Sequence, residues 1–214
     1  MNSPFNLENQ TEYRNWRQYK LSQYPVNNEK LLVKFHKNII SNSDINSIKK
    51  SIKKYNFAFY EFESVVPDKE LHKFCSKLGL DKSISNLLSD SDNISNITNQ
   101  ERNKDKISGK EYIPYTDKRL NWHTDGYYYP IDSAIKSFLL HCVNPAQNGG
   151  ENFLLDHEII YIHLRDYNPD FIDVLMQNNI MEIPKNKNVE DSKNVSGPVF
   201  FIDKNNLLNM RFTS

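Results

Sequence analysis

The spacing of apolar residues changes between a helical and a strand period along the chain. Ile45, Ile48 and Ile52 recur three and four apart behind Ser43 or Asp44, which predicts a capped helix running to about Tyr55. Leu71, Phe74 and Leu78 repeat the pattern behind Pro67, and Gly79 supplies the stop. LLVKF (31–35) reads as a short strand. FAFYEFE (57–63), alternating aromatic with small or acidic residues, reads as a half-buried one. Residues 1–29 show neither period and are expected to form an irregular arm anchored by Trp16 and Tyr19. Within the polar stretch 81–110, NISNIT (93–98) reads as an edge strand.

The second half has a different rhythm. EYIPY (111–115), RLNWHTD (119–125), SFLLHCV (137–143) and ENFLLD (151–156) are short segments separated by Pro, Gly and Asn turns, as in an antiparallel β sandwich or jelly roll. Two helices interrupt them, DHEIIYIHLRDY (156–167) and PDFIDVLMQ (169–177), with Asp156 and Pro169 as start signals. GPVFFID and LLNMRF, joined by Lys204, Asn205 and Asn206, read as a closing hairpin. The fold class expected is α+β, mainly β. One domain spans 1–214, with flanking helices and strands in 1–110 and the strand-rich core in 111–214.

Charge narrows the function classes. Lys plus Arg and Asp plus Glu both number 27, so no net field draws the chain to nucleic acid or a membrane. The pairs Lys49-Lys50 and Lys53-Lys54 read as a solvated helix face. Cys75 and Cys142 form neither a metal-type pair nor a disulfide framework, which fits a reducing, cytoplasmic setting. The polar N-terminus has no signal-peptide core, and the longest apolar runs, such as VFFI (199–202), are too short to cross a bilayer. A small-molecule partner is expected, and the sequence leaves a homo-oligomer open.

The candidate chemistry lies in RLNWHTDGYYYP (119–130). On a strand, residues i and i+2 share a face, so His123 and Asp125 project together. They can serve as half of a metal site or as an ordinary polar turn. Two histidines and one carboxylate on one face of iron form the triad of non-haem Fe(II) oxygenases. Two other readings compete: a non-catalytic β-sandwich module binding a small polar ligand through its tyrosines, and a zinc hydrolase using His123 and Asp125.

WHTDGYYYP (122–130), followed by SFLLHCVNPAQNGGENFLLD (137–156), resembles the core of the taurine dioxygenase-like (TauD/TfdA) Fe(II)- and 2-oxoglutarate-dependent oxygenases. The resemblance extends over about 112–214 and implies a double-stranded β-helix (jelly roll) with flanking helices. It further implies hydroxylation of a small organic substrate using Fe(II), 2-oxoglutarate and O2, with succinate and CO2 as co-products. His123 and Asp125 match the first two iron ligands. Asn152 stands where the family places a threonine that binds 2-oxoglutarate, and its side-chain amide can donate similarly. Tyr112, Tyr127 and Tyr128 are candidates for the substrate mouth, with aromatic packing at a sheet edge as the alternative. The family's third ligand is a histidine further from the motif than the 89 residues that follow Asp125 here. No position matches it, nor the arginine that grips 2-oxoglutarate. His141 reads as a hydrogen-bonded core residue, and His157 and His163 lack the spacing to clamp an ion together. His36 and His72 read as surface or packing residues, and Arg211 as a strand residue. The expectation is therefore a C-terminally incomplete family member, inactive or nearly so alone.

Overall fold

Ser41, two residues ahead of the expected cap, starts the first helix foreseen in the sequence. Its hydroxyl accepts the Asp44 N–H at 3.1 Å, and the Asp44 carboxylate accepts the Ser41 N–H at 3.0 Å. This capping box satisfies two otherwise unpaired donors at once. In a computed structural model of the chain, residues 3–24, 28–81, 94–98, 113–185 and 193–214 are described. They fall into two compact units. The first unit draws on Met1–Asp81, Leu139–Asp173 and Ile202–Leu208, the second on Lys82–Phe138, Val174–Phe201 and Asn209–Ser214.

In the first unit, β1 (Leu32–Phe35) and β2 (Phe59–Phe62) pair in parallel, Leu32 opposite Phe59 and Phe35 opposite Phe62. The crossover between them is α2 (Asn42–Tyr55), which buries Ile45 and Ile48 and ends at left-handed Asn56. Next comes α3 (Asp68–Leu78), opened by Pro67 and closed by left-handed Gly79. Phe35, Ile45, Ile48 and Phe74 form the core, with Tyr60, Phe62 and Leu139 packed against it. The Phe35 ring lies 4.7 Å from Phe62 and 5.2 Å from Phe74.

Residues 10–23 correct the expected irregular arm, because they form α1 (Gln10–Gln23), capped by Asn9. Its inward positions are Tyr13, Trp16 and Lys20 rather than aliphatic residues, so it carries no apolar stripe to read. Trp16 does anchor the segment, packing edge-on against Phe5 at 5.0 Å, whereas Tyr19 is exposed. The partners of α1 are on α4 (His157–Tyr167), which Asp156 caps as expected, with α5 (Pro169–Leu175) following. Lys20, only 4% exposed, holds Asp156 at 2.7 Å, pairs with Glu158 and donates to the Lys54 carbonyl at 3.0 Å. One ammonium thereby joins α1, α2 and α4. Arg165 donates to the carbonyls of Pro4, Asn6 and Leu7, tying down the chain ahead of α1.

In the second unit, β3 (Met181–Ile183) and β4 (Val195–Gly197) pair antiparallel, Met181 opposite Gly197. The expected hairpin forms from β5 (Phe200–Ile202) and β6 (Leu208–Met210), and its turn, within Ile202–Leu208, is grouped with the first unit. Asp203 closes it by accepting the N–H groups of Asn205 and Leu207, and Asn206 takes the left-handed turn position.

The expected double-stranded β-helix is not assembled among the described residues, whose strands form three separate two-stranded sheets. Ile113–Tyr115 is a 3-10 turn instead of a strand, and 119–125 contributes one bridge, His123 to Thr213. SFLLHCV, ENFLLD and residues 94–98 carry no ladder. The alternation read in SFLLHCV does exist: Leu139 and His141 are half-buried, while Phe138 and Leu140 are exposed. Alternation records a preferred face, but a strand also needs a hydrogen-bonded neighbour, and none is present among the described residues.

Candidate active site

The His-Thr-Asp segment is positioned by the last residues of the chain. Thr124 N–H donates to the Phe212 carbonyl at 2.8 Å, and Ser214 N–H to the Trp122 carbonyl at 3.1 Å. Phe212 N–H returns to the Thr124 hydroxyl at 3.0 Å. His123 therefore sits between two pinned residues. The backbone then turns instead of continuing as a strand: Gly126 has φ +69°, and Tyr127 N–H closes back on the Thr124 carbonyl at 3.3 Å. A Cβ at Gly126 would stand 2.7 Å from the Ile135 side chain, so this turn needs glycine for both its φ and its contact.

His123 Nδ1 lies 2.8 Å from the Asn121 carbonyl oxygen. A carbonyl only accepts, so Nδ1 carries a proton, and in the neutral ring Nε2 keeps its lone pair. That is how a ligating histidine is held when its other nitrogen is tied to a backbone oxygen. Nε2 is 3.6 Å from Asp125 Oδ1, and both side chains stay partly open, 31% and 44% exposed. The separation is too long for a hydrogen bond. An ion with bonds of about 2.0–2.2 Å to each atom can bridge it. The pair thus fits one divalent ion, and the i, i+2 expectation of shared direction is met through a turn.

Tyr127 lies edge-on to His123, with ring centroids 6.5 Å apart. Tyr127 to Tyr128 is 5.3 Å and Tyr128 to Tyr129 is 4.8 Å, forming an aromatic ladder beside the pair. Burial, with the neighbouring tyrosines and Asp125, raises the Tyr128 phenol above its ordinary value. Tyr112 lies outside the described residues. Asn152 belongs to the first unit, where its amide donates to the Gly150 carbonyl at 3.4 Å behind Gly149 and Gly150, both at positive φ. Among the described residues no group of three or more His, Cys, Asp or Glu side chains could hold a metal, so no third donor joins His123 and Asp125 there.

His141, His157 and His36 have local partners. His141 Nδ1 is 3.2 Å from the Tyr60 hydroxyl, and the two rings stack at 7°. Burial keeps this imidazole below its ordinary pKa. His157 Nε2 donates to the Leu208 carbonyl at 2.9 Å, and His36 meets Glu63 at 3.1 Å. Two features of the site had no signal in the sequence. One is the Asn121 carbonyl, a backbone group; the other is Arg211, buried and donating to the Tyr127 and Met181 carbonyls at 3.4 and 2.7 Å.

Comparison with known proteins gives a consistent picture. Over 67 residues, 31% of this chain and 24% of the relative, the sequence is 40% identical to a uridine-5'-phosphate dioxygenase of Streptomyces sp. Over 96 residues, 43% of this chain and 33% of the relative, it is 32% identical to a uridine-5'-phosphate dioxygenase of Amycolatopsis sp. The matched regions span only about a quarter to a third of those curated relatives. No solved structure gives a significant match. Among the described residues no helix is long and apolar enough to cross a membrane. Both of these relatives are named as dioxygenases. The model of the taurine catabolism dioxygenase TauD, TfdA family covers residues 21–212, and the chain belongs to that family.

Proposed function

We propose that the chain carries the metal-binding pair of an Fe(II)- and 2-oxoglutarate-dependent oxygenase that hydroxylates a small organic substrate. The observation that carries this reading is His123 Nε2 lying 3.6 Å from Asp125 Oδ1, with Nδ1 committed to the Asn121 carbonyl. Iron held there would supply activation of O2, coupled to conversion of 2-oxoglutarate into succinate and CO2. The protein's own part is positional. Asn121 keeps the proton on Nδ1, Gly126 turns the backbone, and Asp125 contributes its charge. The triad of this reading needs a third donor, and none stands beside the pair among the described residues. Asn152, through its amide, is the candidate for 2-oxoglutarate, and the family's double-stranded β-helix is the architecture assigned to the enzyme.

For the substrate, the names of the two relatives and the Tyr127–Tyr128 ladder favour a nucleotide of the uridine-5'-phosphate kind, whose base can stack on a tyrosine face. Cys75 and Cys142 are both free thiols, consistent with a reducing cytoplasm. The test is titration of the purified chain with Co(II), followed by its visible absorption. His123→Ala and Asp125→Ala are each expected to lose at least about tenfold in affinity, because each removes a first ligand whose supporting contacts alone are worth that much. Binding that is absent, or equal in all three proteins, would overturn the assignment.

A further inference from the structure

We propose that Arg211 is the positioning residue of the His123–Asp125 pair, clamping the turn that carries Asp125 to the neighbouring sheet. The inference rests on reading that pair as a metal site. Arg211 is only 3% exposed, yet among the described residues no carboxylate pairs with it, and its Nε has no partner. Its backbone N–H donates to the Val199 carbonyl at 2.7 Å. Nη2 donates to the Met181 carbonyl on β3 at 2.7 Å, and Nη1 to the Tyr127 carbonyl at 3.4 Å. The guanidinium passes over Gly197 of β4, where an added Cβ would come within 3.1 Å of Nη2 and 3.4 Å of Cζ.

For packing alone this is an expensive choice. Burial pushes the Arg211 pKa down, the mark of a cation that has given up its water. A methionine would fill similar space without that penalty. What a hydrocarbon cannot do is join two carbonyls through one rigid planar fork, and a lysine, with a single point charge, cannot reproduce the fork.

One of the two joined carbonyls, that of Tyr127, lies just beyond Asp125 in the turn. Asp125 lies between Thr124, whose N–H is held by Phe212, and Tyr127, whose carbonyl is held by Arg211. Phe212–Ser214 directly follows Arg211 and pins both neighbours of His123. The Asn121 amide also reaches the Ser214 carbonyl at 3.2 Å, so the residue that fixes the His123 tautomer is itself tied to this segment. Arg211 touches neither His123 nor Asp125; its guanidinium holds the Tyr127 end of the segment that bears them, and the next residue, Phe212, holds the Thr124 end.

The experiment reads the neutral His123 ring by side-chain nitrogen NMR in the full chain, together with exchange of the Thr124 amide. Wild type is expected to show one form, protonated on Nδ1. Arg211→Met and Arg211→Lys are expected to give a mixture of tautomers and faster Thr124 exchange. Gly197→Ala, which crowds the fork without touching Arg211, is expected to give a smaller change of the same sign. Val199→Ala removes buried side chain while keeping every backbone bond, and serves as the control for lost stability; it should leave His123 as in wild type. Should Arg211→Met not fold, Arg211→Lys and Gly197→Ala carry the test. Folded variants with wild-type His123 signals and exchange would overturn the proposal, as would an equal change in Val199→Ala. Co(II) titration separates the two readings. Weakening by about 10- to 100-fold in the Arg211 variants supports both. No His123-dependent binding in wild type, with the tautomer still responsive, would sink the metal reading alone and leave the clamp.

Discussion

Replacing Asp156 with asparagine removes one charge from a nearly solvent-free ion pair and should cost more than most single substitutions. The carboxylate has three partners: Asn56 Nδ2 at 2.8 Å and the Glu158 N–H at 2.9 Å on Oδ1, and Lys20 Nζ at 2.7 Å on Oδ2. Asparagine keeps the shape and one acceptor, but turns an amide donor toward an ammonium that is 4% exposed. Breaking a buried pair from one side costs about 3–5 kcal/mol. Glu158 still faces Lys20, and the Lys54 carbonyl still accepts from it, which places the expected loss near the lower bound, about 3 kcal/mol. Asp156→Ala also removes the cap of α4, adding about 1 kcal/mol. Lys20→Met should cost a similar amount by stranding the carboxylate. The double variant Lys20→Met with Asp156→Asn removes both charges and should recover about 1–3 kcal/mol of the summed losses. Urea denaturation followed by tryptophan fluorescence measures all four, since Trp16 packs against Tyr161 between α1 and α4. A loss below about 1 kcal/mol in Asp156→Asn, or strict additivity in the double variant, would show that the pair does not hold these helices together.

Gly126→Ala and Gly79→Ala separate backbone strain from crowding. Both positions have positive φ, but the Gly126 Cβ would meet Ile135 at 2.7 Å whereas the Gly79 Cβ meets nothing within 4 Å. Gly79→Ala should cost about 1 kcal/mol and Gly126→Ala about 2–5 kcal/mol by urea midpoint, and equal losses would refute the distinction. For His141, burial lowers the folded pKa, so folding favours the neutral ring. That contribution is complete above the unfolded value of about 6.5 and is lost as pH falls from there toward the folded pKa. Melting temperature measured from pH 7.5 downward should fall more steeply in wild type than in His141→Gln, and parallel profiles would count against a buried neutral ring.

What could be read in the sequence follows how local each signal is. Asp156, Pro67 and Gly79 announce helix ends through hydrogen bonds and φ angles made within four residues, and all three stand where expected. The helix at 10–23 was invisible because its stability is tertiary: Lys20 reaches Asp156 and Glu158, Tyr13 and Arg17 reach Asp166, and Trp16 reaches Tyr161. No periodic rule registers a buried lysine. SFLLHCV and ENFLLD show the opposite failure, since their local pattern suits a strand while the neighbour that would make them one is a matter of long-range pairing.

The same division runs through the site. That His123 and Asp125 should point together was legible from two-residue spacing, and the atoms approach to 3.6 Å although the backbone turns at Gly126 rather than running on as a strand. Spacing alone, however, does not say which nitrogen carries the proton or what keeps the two side chains from drifting apart. Those properties come from groups without a sequence signature: the Asn121 carbonyl, the pairing with Phe212–Ser214, and a guanidinium 84 residues beyond Tyr127. The proximity of the two side chains is therefore a local fact of this chain, while the readiness to hold an ion that we propose for them would be a long-range one. Substitutions at Arg211 or Gly197 should degrade the site while the motif itself remains unchanged.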